Sequence, residues 1–379
     1  MRICVVYDCL FPHTVGGAQR WYRNLAERLA ARGHEVTYLT LRQWPEGENA
    51  GVPGVDVRAV GPRMELYAEG RRRTLPPLVF GLGVLWHLLW RGGRYDVVHT
   101  GSMPYFSLLA CAALRPVRRY RLFVDWIEVW TRPYWREYAG AVVGEIGWRI
   151  QRLGARTHHR AFAFARLHAD RLKELGHSGE VTVLNGLYAG NGASGSAGVR
   201  SPVVVFAGRH IPEKDVPSLV PAVALARERI PELRAEIYGD GPDHDEVVAL
   251  LAQHGLDGAA TAPGFVASET VQEAIGRAMC FVLPSRREGY GLVVVEAAAA
   301  GTPTVVVAHP DNAAVELVDD GENGIVVGSP DPEDLAAAIV RVHEEGDALR
   351  QSTRDWYARN AGRLAIETSV ERVATAYDE

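Results

Sequence analysis

The sequence predicts an α/β protein with two doubly wound parallel-sheet domains, and three observations carry that prediction. Apolar runs of strand length alternate with amphipathic segments of helix length along the whole chain. At 379 residues the chain exceeds what one hydrophobic core usually organises. Midway, the alternation is interrupted at 190–198 by GNGASGSAG, small and polar enough to be a flexible linker.

The elements follow in order. Expected strands of the first half lie at 3–7, 35–40, 55–60, 96–99, 121–124 and 181–184. Those of the second lie at 203–207, 235–238, 280–283, 304–307 and 324–327. The expected division is a first domain at 1–189, a linker at 190–200 and a second domain at 201–351. A closing helix at 352–379, carrying Trp356 and Tyr357, returns to the first domain. A ligand would lie at strand carboxyl ends, as in other doubly wound sheets.

Composition bounds the function. With 47% hydrophobic and 23% charged residues, the chain resembles an ordinary soluble globular protein. A formal net charge of -5 argues against a general nucleic-acid binder. Cys4, Cys9, Cys111 and Cys280 show neither metal-ligand spacing nor a disulfide framework, which fits a reducing cytoplasm. MRICVVYD at the start reads as a strand, without the long apolar core of a signal peptide. Residues 75–90 are strongly apolar, interrupted by His87, with Arg71, Arg72 and Arg73 before them and Arg91 and Arg94 after. The run is shorter than the roughly 20 residues a spanning helix needs. A buried helix is expected, with peripheral membrane contact through 71–94 as the alternative.

The most informative stretch is PSRREGYGLVVVEAAAAGTPTVV from Pro284. Gly289 and Gly291 bracket Tyr290, and no helix breaker follows from Leu292 onward, so a turn opens into a buried helix. Glu288 precedes that helix and Glu296 lies within it. At helical rise the two carboxylates stand about 12 Å apart, too far for two groups serving one sugar carbon, which need roughly 5 to 9.5 Å. They would grip different ends of one long ligand, with an anion at the helix N-terminus between them. A solvated loop carboxylate and a paired core carboxylate are the alternatives.

Other glycine turns and cations point the same way. Gly16 and Gly17 follow the first strand and open a helix, which brings backbone close to a phosphate or simply makes a tight turn. VVVFAGRHIPEKDV places Arg209 just past a strand end and Lys214 five residues on. Lysine occurs only at 173 and 214 in this chain, so Lys214 stands out as a point charge suited to phosphate, beside a bidentate arginine. Two solvated surface cations are the alternative. In IYGDGPDHDEV, Gly239 lets backbone approach a ligand, while Asp243 and Asp245 superficially resemble a metal pair. Acidic residues are common in a first helical turn for dipole reasons, and no metal site is expected.

Taken together, GRHIPEK from Gly208, YGDGPD from Tyr238, PGF from Pro263 and the glutamate pair resemble the donor-binding signature of retaining GT-B glycosyltransferases of family four, the glycosyl transferases group 1. VGGAQR at Val15, YDVVH at Tyr95 and VLNG at Val183 extend the resemblance over nearly the whole chain. It implies two Rossmann-like domains and an enzyme that moves a sugar from a nucleotide-diphosphate donor, UDP-sugar favoured over GDP-sugar, to an acceptor hydroxyl. No cofactor or metal is implied. Arg209 and Lys214 would stabilise the leaving diphosphate, and Glu288 would contact sugar hydroxyls. Gly289, Tyr290, Gly291 and Leu292 would line the diphosphate and Glu296 the ribose. Gly264 and Phe265 would flank the base, and Gly16 and Gly17 would close over phosphate and acceptor.

The chain departs from the family where many members carry a histidine near the transferred sugar. LFVDWIEVW places Asp125 there, with Glu128 as the other candidate. His99, Trp126, Arg132 and Trp135 are the expected acceptor-side residues, the last two within the aromatic and basic WTRPYWREY. The acceptor could be a secondary metabolite, a polysaccharide or a lipid-linked glycan. A nucleotide-sugar 2-epimerase of the same architecture and a non-catalytic nucleotide-sugar binding protein are the competing classes. The epimerase needs acid/base groups that the first half does not offer.

Overall fold

The computed structural model describes residues 1–45, 47–68, 71–190 and 202–379. The chain forms two compact units, one of Met1–Asn185 with Glu367–Glu379 and the other of Gly186–Ile366.

The first unit is a seven-stranded parallel sheet. Its strands are β1 (Arg2–Val6), β2 (Glu35–Thr40), β3 (Val55–Ala59), β4 (Val97–Gly101), β5 (Arg121–Trp126), β6 (Arg160–Ala163) and β7 (Val181–Val183), in spatial order 3-2-1-4-5-6-7. Val5, Val6, Val97, Val98 and Val124 have no exposed surface, as expected of strands covered on both faces. The helices are α1 (Gly17–Ala31), α2 (Leu75–Arg91), α3 (Tyr105–Arg118), α4 (Arg132–Ala139), α5 (Ala141–Ala155) and α6 (Arg166–Glu174). A two-residue antiparallel pair, Tyr67–Ala68 with Arg71–Arg72, precedes α2.

The second unit is a six-stranded parallel sheet of β8 (Val203–Ala207), β9 (Arg234–Tyr238), β10 (Ala260–Gly264), β11 (Cys280–Leu283), β12 (Thr304–Val307) and β13 (Gly324–Val327). The spatial order is 10-9-8-11-12-13, so chain direction across the sheet reverses between β8 and β11. In open α/β sheets such a switch point leaves a crevice at the strand carboxyl ends where ligands bind. The loops after β8 and β11 hold Arg209, Lys214 and Glu288. Helices α7 (Leu219–Arg227), α8 (His244–Gln253), α9 (Ser268–Arg277), α10 (Leu292–Ala299) and α11 (Pro332–Leu364) cover this sheet.

The division departs from the sequence expectation at the carboxyl end. Residues 352–364 belong to the second unit, where Trp356 is buried and donates its indole N–H to Asp319. Helix α11 is broken by a non-helical Gly346 (φ 53°, ψ -126°) and stops at Ala365, which turns extended. Only the following helix, α12 (Ile366–Asp378), reaches the first unit, burying Tyr377 against Phe123 with ring centroids 4.8 Å apart. The boundary near 189 also moves. Tyr188 bridges Ala365 and exchanges backbone hydrogen bonds with Leu364 and Ile366, which draws 186–190 into the second unit. The expected linker lies, but for Gly190, outside the described residues.

Candidate active site

In the second unit, the loop after β8 is stitched to its neighbours through backbone. Gly208 donates to Tyr238 O (3.1 Å), His210 to Asp240 O (2.9 Å) and Gly239 to Gly264 O (2.9 Å). These contacts need glycine. Gly239 has φ +120°, and a Cβ there would lie 1.8 Å from the Gly208 carbonyl oxygen. Strand β10 ends at Gly264 (φ +81°), after which Phe265 projects into solvent, 71% exposed.

The next turn brings the charges together. Pro212–Lys214 forms a single 3-10 turn, and Arg286 ties it to the loop after β11 by donating backbone N–H to Glu213 O (3.0 Å) and pairing with Asp215 (3.1 Å). Lys214 Nζ thereby meets Glu288 Oε1 in an ion pair that is mostly buried. Ser285 Oγ donates to the same oxygen at 2.9 Å. Arg209 is exposed, and among the described residues its guanidinium has no ion pair.

Glu288 sits in a short pairing of Arg287–Glu288 with Asp311–Asn312. Asn312 fixes that pairing, donating Nδ2–H to Ser285 O (3.0 Å) and Val307 O (2.8 Å) while its Oδ1 caps Ala314 N. Gly289 is buried in the turn, followed by Tyr290, whose phenol is pushed above its ordinary pKa by burial. Gly291 caps α10 with φ +93°, and a Cβ there would approach Ala314 Cβ to 2.6 Å. Leu292 opens the helix and Glu296 follows one turn in, its charge close enough to Tyr188 to help raise that phenol, after burial and Tyr357. The unit therefore converges a free cation, a buried ion pair, a helix N-terminus and a carboxylate around one switch point.

In the first unit, Gly16 caps α1 and Gly17 is its first residue, with nothing within 4 Å of a Cβ built on Gly17. The expected sugar-facing residues lie elsewhere. Asp125, at the end of β5, has no exposed surface and both carboxylate oxygens are taken, by Trp21 Nε1 (2.7 Å) and His99 Nε2 (2.8 Å). His99 is equally buried and its Nδ1 meets the Tyr377 hydroxyl. Trp126 is buried too, donating Nε1–H to His159 Nε2 (3.1 Å). These three are internal packing and positioning groups, because a strand-end side chain turned into the core cannot meet a solvent-borne acceptor. Asp125→Asn is expected to lower stability by about 1–3 kcal/mol, read as a lower melting temperature. Turnover per folded molecule should stay within about threefold; a larger fall at unchanged melting would return Asp125 to the chemistry.

Acceptor-side candidates on α4 are more accessible. Arg132 is exposed, paired with Glu145 (2.8 Å) and lying over the Trp148 ring at 5.1 Å. Trp135 is half-buried between Tyr105 and Trp130 and shares Gln151 Oε1 with Trp130 N. Glu128, the other candidate for the family histidine, accepts the Trp130 indole N–H at 2.7 Å. Asp243 and Asp245 lie at the start of α8, and among the described residues no group of His, Cys, Asp and Glu is arranged to hold a metal ion.

With this geometry in view, comparison with known proteins points to the family. The glycosyl transferases group 1 model matches residues 194–361, and the glycosyl transferase 4-like domain model matches residues 16–186. The two models together take in most of the chain, one glycosyl transferase domain in each half. The chain is 29% identical to an alpha-D-kanosaminyltransferase of Streptomyces kanamyceticus over 47% of this chain and 46% of that one. It therefore spans about half the length of that relative. A glycogen synthase of Mycobacterium tuberculosis is 27% identical over 99% of this chain and 93% of its own. Among solved structures, sucrose-phosphate synthase from Thermosynechococcus elongatus aligns with a TM-score of 0.81 at 18% identity, covering 100% of this chain and 98% of that one. Anabaena Alr3699/HepE in complex with UDP and glucose aligns with a TM-score of 0.76 at 18% identity over the full length of both. The fold is therefore GT-B.

Several residues at the family's donor motif were not legible beforehand. Ser285 and Asn312 hold Glu288 and its loop, and His210, fully buried, faces His244 with Nδ1 atoms 3.1 Å apart. Burial, then the His244 charge, lowers the His210 pKa to about 4, so the imidazole beside Arg209 is neutral near pH 7. The only signal for Ser285 was its place two residues past a strand end.

Proposed function

We propose that this protein is a retaining glycosyltransferase that moves a sugar from a nucleotide-diphosphate sugar, UDP-sugar favoured over GDP-sugar, to an acceptor hydroxyl. The observation that carries the reading is the Lys214–Glu288 pair at the entrance of α10, with Arg209 free beside the same switch point. A donor diphosphate at the Gly291–Leu292 helix start meets backbone N–H groups and the positive helix end. Arg209 and Lys214 then stabilise charge that grows on the leaving phosphate. Glu288, released from Lys214 by the incoming phosphate, takes sugar hydroxyls, while Glu296 accepts from the ribose. Gly239, Gly264 and Phe265 flank the nucleoside end, and Gly16 and Gly17 approach phosphate and acceptor.

With Glu288 serving as a hydroxyl acceptor, the reading assigns it no nucleophilic role. Transfer proceeds by front-face displacement through an oxocarbenium-like state, in which the departing phosphate takes the acceptor proton. Fixed cations supply the charge that a metal supplies elsewhere, so full turnover in chelator is part of the reading. The four buried free cysteines support a reducing cytoplasm, and segment 71–94 supports peripheral contact with its membrane. Arg132 and Trp135 remain the acceptor-side candidates.

A panel of UDP-, GDP- and ADP-sugars screened by thermal unfolding tests the donor. A ligand at 100 times its Kd stabilises by about 2.7 kcal/mol, and UDP-sugars should give the largest rise in melting temperature. Glu296→Ala should weaken the preferred donor by roughly tenfold, one lost charge-assisted hydrogen-bond pair. No rise with any nucleotide sugar would overturn the reading, and an inverted anomer in the product would overturn retention.

A further inference from the structure

Large hydrophobic side chains are exposed unevenly on this molecule. Among the described residues all but Val15, Val248 and Phe265 stand on α2, α3 and α5 of the first unit, three helices packed side by side. Helix α2 turns Phe80, Val84 and Leu88 to the core and Leu75, Leu78, Leu82, Trp86, Leu89 and Trp90 to solvent. The outward stripe runs about 22 Å. Helix α5 adds Val142, Val143 and Ile146, each more than half exposed. A continuous apolar stripe such as that of α2 marks an interaction site.

The surrounding charge selects the partner. Neither α2 nor α3 contains an acidic residue. Their carboxyl ends lie together, since Gly92 packs against Arg118 and Tyr120. There Arg91, Arg94 and Arg119 are exposed, without an ion pair among the described residues. On α5, Glu145 is already taken by Arg132 and Arg149. Trp86 and Trp90 stand between the leucine stripe and these arginines, and a cavity of about 300 Å³ opens beside them and Arg91. Tryptophan between an apolar face and arginine is the arrangement favoured at a lipid–water interface. No described helix is long and apolar enough to cross a membrane, so α2 would lie in the interface. A second copy fits less well, because a two-fold contact through this face would bring both sets of arginines together.

We infer that the α2–α3–α5 face docks the protein on an anionic lipid bilayer. This deepens the peripheral-contact reading of 71–94 and rests on it, but on no assignment of donor or acceptor, so vesicle binding is read without turnover. The full chain is sedimented with vesicles of phosphatidylcholine alone and of phosphatidylcholine mixed with phosphatidylglycerol. Each basic residue at an anionic surface contributes about fivefold in affinity; the mixed vesicles should bind at least about tenfold more tightly. Trp86→Glu with Trp90→Glu should abolish binding, and Arg91→Glu with Arg94→Glu should reduce it by more than about tenfold. Both double variants should melt with wild type, because the altered side chains are exposed. Wild-type protein absent from both pellets, or bound equally to both compositions, would overturn the inference. So would a reversible dimer in sedimentation velocity that the tryptophan double variant dissolves.

Discussion

If the proposed transfer holds, Lys214→Ala is expected to lower kcat by about two to three orders of magnitude while donor Kd changes by less than about tenfold, turnover and equilibrium binding being measured side by side. The asymmetry follows from when the ammonium is most needed. In the resting protein Lys214 is committed to Glu288, so ground-state donor binding must replace one ion pair by another and gains little. Charge on the leaving phosphate is largest in the transition state, and a fixed cation matched to that moment accelerates the step, whereas one matched equally to the bound donor does not. Truncation also leaves the buried Glu288 carboxylate with the Ser285 hydroxyl still donating to it. Equal losses in binding and turnover would instead assign Lys214 to ground-state donor affinity alone.

The second large effect is on folding. Gly239→Ala should cost at least about 4 kcal/mol and leave the second unit unfolded at ordinary temperature, measured by soluble yield and circular dichroism. Two penalties coincide at this residue. Its φ of +120° lies where side chains are rarely tolerated, and the added Cβ would lie 1.8 Å from the Gly208 carbonyl oxygen. Backbone on the neighbouring strand end cannot swing aside as a side chain can. Gly276→Ala, on α9 with nothing within 4 Å of its Cβ, is the control and should be neutral or slightly stabilising. A soluble, cooperatively melting Gly239→Ala protein would show that the β8 and β9 ends separate more easily than their hydrogen bonds imply.

Much of the fold was legible because parallel strands buried on both faces read as unbroken apolar runs. VVVFA, CFVL and TVVV coincide with β8, β11 and β12 to the residue. The missed strands had weaker signals. Strand β10, ATAPG, contains Pro263 and lies at the sheet edge, the position where a residue lacking an N–H is tolerated. Strand β6 is only four residues long and merges into the helical pattern around it.

At the candidate site, the residue types announced themselves but their partners did not. One of only two lysines and a glycine-flanked glutamate stand out in the sequence, yet their pairing spans 74 residues and depends on Arg286 and Asn312 tying loops from separate strands. Asp125 shows the reverse. Its position at a strand end looked like an active-site position, but Trp21 lies 104 residues before it, and Tyr377, on His99, lies 278 residues after that histidine. Nothing local in LFVDWIEVW reports that these groups converge on its interior side.

The return of α12 to the first unit sets an order of assembly. The core around His99 and Phe123 lacks Tyr377 until α12 has been synthesised, whereas the second unit is one continuous segment, Gly186–Ile366. On a ribosome the amino-terminal unit, though begun first, is therefore the last to close. Throughout that interval its apolar α2 stripe belongs to an unfinished domain, which makes α12 a folding determinant of the amino-terminal half.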